Sequence, residues 1–280
     1  MKPKVKSPLL PEVLQIKKLL RSFNLHTVCE EANCPNIGDC FSRKTATFMI
    51  MGDICTRNCP YCNVSHGKPH SLDPYEPENV ALAVKKLGLK HVVITSVDRD
   101  DLPDGGASFF AKVVERVRLL NPDTTIEVLI PDFKGDIDSL KVVVNSKPDV
   151  INHNIETVKE LYKKVRPQGN YERSLKILKT VKEIDDGIIT KSGFMLGLGE
   201  TKDQIINLLK DLKENNCEVI TIGQYLQPSK NHLPVEKYYT EEEFKEFEKI
   251  GYEIGFKEVF SGVLVRSSFH AGEIFEKIKT

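Results

Sequence analysis

The sequence predicts an α/β fold, a partial or near-closed (β/α) barrel carrying an extension at each chain end. Two observations carry this expectation. From residue 47 onward, short β-branched apolar runs alternate with longer segments of helical periodicity, six times over. Each group of chemically suggestive residues then falls just after one of those runs, where the C-terminal ends of parallel strands build an active face. The chain has 280 residues, 40% of them hydrophobic, which suffices for one large core.

In chain order, Pro8 and Pro11 precede an amphipathic helix over residues 12–23, and a cysteine-bearing loop follows it. Strands are expected at 47–51, 91–96, 125–130, 150–153, 189–196 and 219–224, with a further apolar run at 259–265. Glu76-Pro77-Glu78 opens a helix, with proline in the first turn and carboxylates at the positive end of the dipole. Thr201 to Gln204 and Thr240 to Glu243 are capping boxes. Ile205, Leu208, Leu209 and Leu212 follow the first box at helical spacing, and Phe244, Phe247 and Ile254 follow the second. The expected organisation is an N-terminal extension, 1–46, a barrel, 47–257, and a C-terminal extension, 258–280, lying over the barrel mouth.

Forty basic residues balance forty acidic ones. A neutral chain exerts no long-range pull on nucleic acid or anionic membrane, so neither is an expected partner. No apolar run reaches the length of a membrane span, and Met1-Lys2-Pro3-Lys4-Val5-Lys6 lacks the apolar stretch of a secretory signal. A cytoplasmic location is expected.

Six of the seven cysteines lie between positions 29 and 62. An odd number in a reducing compartment argues against a disulfide framework. Cys55, Cys59 and Cys62 are spaced C-x3-C-x2-C directly after the first strand. Three thiolates on so short a loop can bind three irons of a 4Fe–4S cube and leave the fourth open to a small molecule. The alternative is a structural zinc completed by His66, which the position after the first βα strand disfavours. Cys29, Cys34 and Cys40 are spaced C-x4-C-x5-C, and spacing alone suits a cluster and a zinc loop equally. Cys217, ahead of an apolar strand, reads as a small buried hydrophobe.

C-x3-C-x2-C after the first strand of such a series resembles the radical S-adenosylmethionine superfamily. Val28-Cys29-Glu30-Glu31-Ala32-Asn33-Cys34-Pro35-Asn36, Thr45-Ala46-Thr47-Phe48-Met49-Ile50-Met51-Gly52 and Cys55-Thr56-Arg57-Asn58-Cys59 narrow the resemblance to the lipoyl synthase family. So do Thr95-Ser96-Val97-Asp98-Arg99-Asp100-Asp101-Leu102-Pro103-Asp104-Gly105-Gly106-Ala107, Asn152-His153-Asn154-Ile155-Glu156-Thr157 and Val265-Arg266-Ser267-Ser268-Phe269-His270-Ala271. Phe41 stands where that pattern usually has Trp, and Phe269 where Tyr is common.

The resemblance implies a barrel of the radical S-adenosylmethionine type. It implies two 4Fe–4S clusters: one on Cys55, Cys59 and Cys62 that cleaves S-adenosylmethionine to a 5′-deoxyadenosyl radical, and a sacrificial auxiliary one on Cys29, Cys34 and Cys40. Ser268 is the implied fourth ligand of the auxiliary cluster. The implied reaction inserts sulfur at C6 and then C8 of a protein-bound octanoyl-lysine. An unactivated C–H has no acidic proton, so acid–base catalysis cannot open it. Tyr61, Gly105, Gly106, Asn154, Glu156 and Arg166 are the expected contacts to S-adenosylmethionine. For Asn154 the bland alternative is a helix cap, and for Arg166 a surface position. Asp98, Asp100, Asp101 and Asp104 read in part as a solvated face. Implied partners are an octanoylated lipoyl carrier domain or glycine-cleavage carrier protein, an electron donor such as ferredoxin or flavodoxin, and an iron–sulfur cluster carrier. A biotin-synthase-like enzyme and a zinc-stabilised binding module are the competing readings. The N-terminal triplet and the terminal Arg-Ser-Ser weigh against the first, and two open-sited triplets against the second.

Overall fold

The computed structural model describes residues 5–42 and 46–279, except the side chain of Lys279. Residues 1–4, part of the stretch read for a leader, and Thr45 of the motif at 45–52 lie outside the described residues. Contacts divide the chain into two compact units, one of residues 1–57 and 63–149, the other of 58–62 and 150–280.

The first unit opens with α1 (Pro11–Ser22), which buries Val13, Ile16 and Leu20 at helical spacing. β1 (His26–Thr27), α2 (Val28–Glu31) and α3 (Ile37–Ser42) follow. The segment expected as a loop is thus two short helices. Pieces of four and six residues are too short to display a helical period, and Thr27, whose side chain accepts the Glu30 N–H, caps the first. Next come β2 (Thr47–Ile50), α4 (Glu76–Leu87), β3 (His91–Ser96), α5 (Ala107–Leu120), β4 (Thr125–Leu129) and α6 (Ile137–Asn145). β2, β3 and β4 pair in parallel, with Thr47 opposite Val93 and His91 opposite Thr125. β1 pairs with β2 antiparallel.

The second unit contains β5 (Val150–Asn152), α7 (Tyr162–Val165), α8 (Tyr171–Ile184), β6 (Ile189–Leu196), α9 (Lys202–Glu214), β7 (Val219–Gln224), α10 (Glu241–Ile254), β8 (Glu258–Gly262) and α11 (Ala271–Lys279). Its four strands are parallel and in chain order. Both expected capping boxes form in full, at Thr201 and at Thr240. α9 buries Ile205, Leu208, Leu209 and Leu212, each burial stabilising by about 1.5–3 kcal/mol. β8 stops at Gly262, short of the expected 265, because the Val265 N–H turns back to the Gly262 carbonyl at 3.0 Å. Among the described residues β1 pairs only with β2 in the first unit, and β8 only with β7 in the second. No described helix is long and apolar enough to cross a membrane.

Candidate functional site

In the first unit, the chain leaves β2 through Met51 and Gly52, both at positive φ, +68° and +90°. Two side chains hold this turn. Glu76, at the start of α4, accepts the Met51 N–H at 2.8 Å, and Arg99 donates to the Met51 carbonyl at 3.2 Å. Glu76 is buried, and that burial pushes its pKa from 4.5 to about 7, against the opposing Met51 N–H. Cys55 then pairs through its backbone with the strip around His66, its N–H on the Ser65 carbonyl at 2.8 Å and its own carbonyl accepting from Gly67 at 2.9 Å. The Cys55 sulfur lies 3.4 Å from the Arg57 amide nitrogen and 3.3 Å from that of Asp98, and accepts both N–H groups. Asp98 Oδ2 lies 3.8 Å from the same sulfur, so two N–H donors and one carboxylate converge on it.

Arg57 is 3% exposed. Its guanidinium forks onto Asp100, through Nε at 2.8 Å and Nη2 at 2.9 Å, and Nη2 also reaches buried Asp132 at 2.6 Å. Burial alone would lower its pKa, but the hydrogen bonds to Asp100 and Asp132 and the charge of Asp98 outweigh it and leave the guanidinium firmly charged. Of the four aspartates expected in part as a solvated face, Asp101 is indeed exposed, and all four have partners. Asp98 and Asp100 face Arg57, Asp101 pairs with Arg99, and Asp104 accepts the N–H groups of Gly106 and Ser108.

Gly105 and Gly106 sit at φ +59° and +89°, ahead of α5. A Cβ on Gly106 would lie 2.3 Å from the Met51 sulfur, and one on Gly105 3.1 Å from the Phe133 ring. The Cys29, Cys34 and Cys40 triplet belongs to the same unit, with the Cys34 N–H on the Cys29 carbonyl at 3.0 Å. Burial, then the proximity of Cys34 and Cys40, pushes the Cys29 thiol up to about 12. The three thiols are therefore electrostatic neighbours.

The second unit holds the remainder of the C-x3-C-x2-C loop. The Asn58 N–H donates to Gln168 Oε1 at 2.7 Å, Leu233 N–H to the Pro60 carbonyl at 3.0 Å, and Cys62 N–H to the Cys59 carbonyl at 2.9 Å. His232 Nε2 lies 3.0 Å from the Cys62 carbonyl and its Nδ1 2.9 Å from Ser229 Oγ. A carbonyl only accepts, so Nε2 carries the proton and Nδ1 accepts from the serine hydroxyl. Tyr61 packs against Val165, Leu198 and Tyr225. Burial, then the charges of Glu156 and Cys59, drives its phenol well above the usual range, with Arg166 pulling the other way.

Tyr61, Cys59, Cys62, Glu156 and Arg166 thus share one neighbourhood. Arg166 is buried, not on the surface, and donates to the Asn154 carbonyl at 2.9 Å. Asn154 caps no helix, since the next helical turn begins at Lys159; its Oδ1 accepts from Ser267 Oγ at 2.9 Å. Glu156 has φ +71° and bridges to β6, its N–H on Gly193 and its carbonyl on Met195, both at 3.0 Å. Ser268 is half-buried and its carbonyl accepts the Ala271 N–H at 3.4 Å. Gly197 and Gly199, at φ +104° and +112°, form a turn whose amides at Gly197 and Leu198 are bound by Glu200 at 2.6 and 2.9 Å. Cys217 is fully buried, as expected.

All seven cysteines are free of disulfides. Among the described residues, no three His, Cys, Asp or Glu side chains converge as ligands of a single ion. A cube makes no such demand, because each thiolate binds its own iron. Disulfide-free cysteines spaced in two triplets along the sequence, with the Cys55 sulfur receiving two N–H groups, suit cluster ligation.

The sequence description of the Radical SAM superfamily matches residues 49–212. The chain is 55% identical to the lipoyl synthase of Rubrobacter xylanophilus, over 96% of this chain and 84% of that one. It is 57% identical to that of Caldanaerobacter subterraneus subsp. tengcongensis, over 92% and 90%. The chain belongs to the lipoyl synthase family. The Pseudomonas fluorescens lipoyl synthase agrees at 53% identity over 99% of this chain and 82% of its own. Solved structures show the fold: methylornithine synthase, with TM-score 0.56 and 14% identity, covers 92% of this chain, which spans 81% of it. HydG, a maturase of the FeFe-hydrogenase, has TM-score 0.60 and 16% identity over 82% of this chain and 54% of its own. The fold is therefore the partial barrel of radical S-adenosylmethionine enzymes. A lipoyl synthase of this superfamily is a sulfurtransferase that depends on S-adenosylmethionine and 4Fe–4S chemistry. Sequence reasoning assigned no role to Arg57, Asp132 or Gln168 around the cysteine loop and read His232 as structural, not as an acid or base. Arg57 alone carried a signal, lying between two candidate ligands; the other three meet the loop only through folding.

Proposed function

We propose that this chain inserts sulfur at C6 and C8 of an octanoyl group carried on a lysine of a lipoyl carrier domain or glycine-cleavage carrier protein, using two 4Fe–4S clusters. The observation that carries this reading is the pair of separate, disulfide-free cysteine triplets in a chain 53–57% identical to lipoyl synthases. Cys55, Cys59 and Cys62 hold the radical-generating cluster; Cys29, Cys34, Cys40 and Ser268 hold the auxiliary one. When bound, the first supplies an electron for cleaving S-adenosylmethionine and the second supplies sulfur.

The protein's own residues bind and orient. In this reading Glu156 and Asn154 receive the ammonium or ribose hydroxyls of S-adenosylmethionine and Arg166 its carboxylate. Tyr61, kept neutral, covers the loop with an aromatic face. Gly105 and Gly106 present backbone to the methionyl end. A serine oxygen is a harder donor than thiolate and releases iron more readily, which suits a cluster that must break open. The electron comes from a small carrier such as ferredoxin or flavodoxin, and the spent cluster is rebuilt from a cluster carrier. A cytoplasmic location accords with this chemistry.

The test is an anaerobic assay with octanoyl-lysyl peptide, S-adenosylmethionine and a strong reductant, read by mass spectrometry. The expected product gains two sulfur atoms. A protein that cleaves S-adenosylmethionine and holds two clusters yet adds no sulfur would overturn the reading.

A further inference from the structure

The two N–H donors aimed at the Cys55 sulfur come from different segments, residue 57 of the cysteine loop and residue 98 after β3. Something must keep those segments in register. Thr56 supplies part of the bond: its N–H and hydroxyl both donate to the Asp98 carbonyl, at 3.0 and 2.9 Å, and its Oγ accepts the Asp100 N–H at 3.0 Å. Arg57 supplies the remainder. Its buried fork joins the loop to Asp100 and carries on to Asp132, beyond β4, while Nη1 lies 3.5 Å from Asp98. Lys134 adds a second cation at the rim, 3.9 Å from Asp100. One guanidinium therefore sits among three carboxylates, next to a candidate cluster ligand.

We propose that Arg57 is a positioning residue that sets the reduction potential of the cluster at Cys55, by fixing the two N–H···S hydrogen bonds from Arg57 and Asp98. The inference rests on the reading of Cys55 as a cluster ligand. N–H donors to a ligand sulfur withdraw electron density and stabilise the reduced cluster, so they raise its potential. Arg57 holds them through planar, bidentate geometry that an ammonium cannot reproduce. Its charge also offsets the carboxylates, which would otherwise favour the oxidised form.

The experiment is a redox titration of the reconstituted full-length protein, following the reduced-cluster resonance that responds to S-adenosylmethionine. Arg57→Lys keeps the charge and loses the fork. It is expected to load iron as the parent does, to shift the midpoint to more negative potential, and to form 5′-deoxyadenosine at least about tenfold more slowly, as expected for loss of about one charged hydrogen bond. Thr56→Val, neutral and nearly isosteric, is expected to shift the potential in the same direction by less, and decides the matter if Arg57→Lys fails to assemble. An unshifted midpoint in a fully loaded Arg57→Lys protein, or in Thr56→Val where that protein does not load, would overturn the proposal. Failure of the underlying reading looks different: Cys55→Ala would then retain the responsive cluster.

Discussion

At Gly106 the missing side chain is required by the Met51 sulfur, whatever else the backbone there contacts. Gly106→Ala meets two costs, a left-handed φ of about 1–2 kcal/mol and overpacking of about 1–3 kcal/mol. Gly88 has φ +65° with open space around it, so Gly88→Ala meets only the first. Chemical denaturation should show Gly106→Ala the less stable by at least about 1 kcal/mol; equal losses would mean that Met51 yields freely. Glu76 gives a pH signature. Its folded pKa, about 7, lies above the unbound value of 4.5, so the folded state holds the proton more tightly. The associated stability is present below pH 4.5 and is lost as pH rises through 7. The gap caps the loss at about 3 kcal/mol. Glu76→Gln keeps an acceptor for the Met51 N–H and removes the titration. Relative to the parent, it should gain stability between pH 5 and pH 8; a flat difference would show that Glu76 is solvated. Ser268→Ala should keep cleavage of S-adenosylmethionine and lose most sulfur insertion, whereas Ser267→Ala loses the hydrogen bond to Asn154. If only Ser267→Ala impairs sulfur insertion, the ligand assignment moves off Ser268.

At the scale of elements, the segment after β7 acts as a strap on the second half of the cysteine loop. His232 and Leu233 bind the carbonyls of Cys62 and Pro60, and Gln168, after α7, binds the Asn58 amide. Gln224 secures the strap at its root: its amide donates to the carbonyls of Leu196, Tyr225 and Lys237, and its carbonyl accepts the Tyr239 N–H. His232→Ala removes one hydrogen bond worth about 1 kcal/mol, and so should slow 5′-deoxyadenosine formation by up to about fivefold while the melting temperature changes little. His232→Gln retains an amide donor and should recover part of the rate. Equal rates in parent, Ala and Gln proteins would leave the strap without a role in chemistry.

For the whole molecule, the proposed function has the two triplets divide the work, radical generation to Cys55, Cys59 and Cys62 and sulfur supply to Cys29, Cys34 and Cys40. Cys59→Ala should abolish cleavage of S-adenosylmethionine. Cys34→Ala should still cleave it and yield no lipoyl group. Retained 5′-deoxyadenosine in the first variant with a filled auxiliary site, or lipoyl product from the second without an external sulfur carrier, would refute the division.

The sequence by itself determined the parallel βα series, the two capping boxes and the two cysteine triplets. Those are written in local order: period, cap chemistry and spacing each span only a few neighbouring residues. Strands at 91–96, 189–196 and 219–224 come out to the residue for that reason. Tertiary structure alone decided which polar groups serve the cysteine loop. Arg57 meets Asp132 across 75 positions and His232 meets Cys62 across 170, and no local pattern encodes a pairing at such separations. It also decided that Arg166 is buried and that Asp98, Asp100 and Asp104, half-buried after β3, have partners within the fold, while Asp101 stays exposed beside Arg99. A charge on a loop looks the same in sequence whether water or a guanidinium neutralises it; only burial, which removes the water, forces the choice.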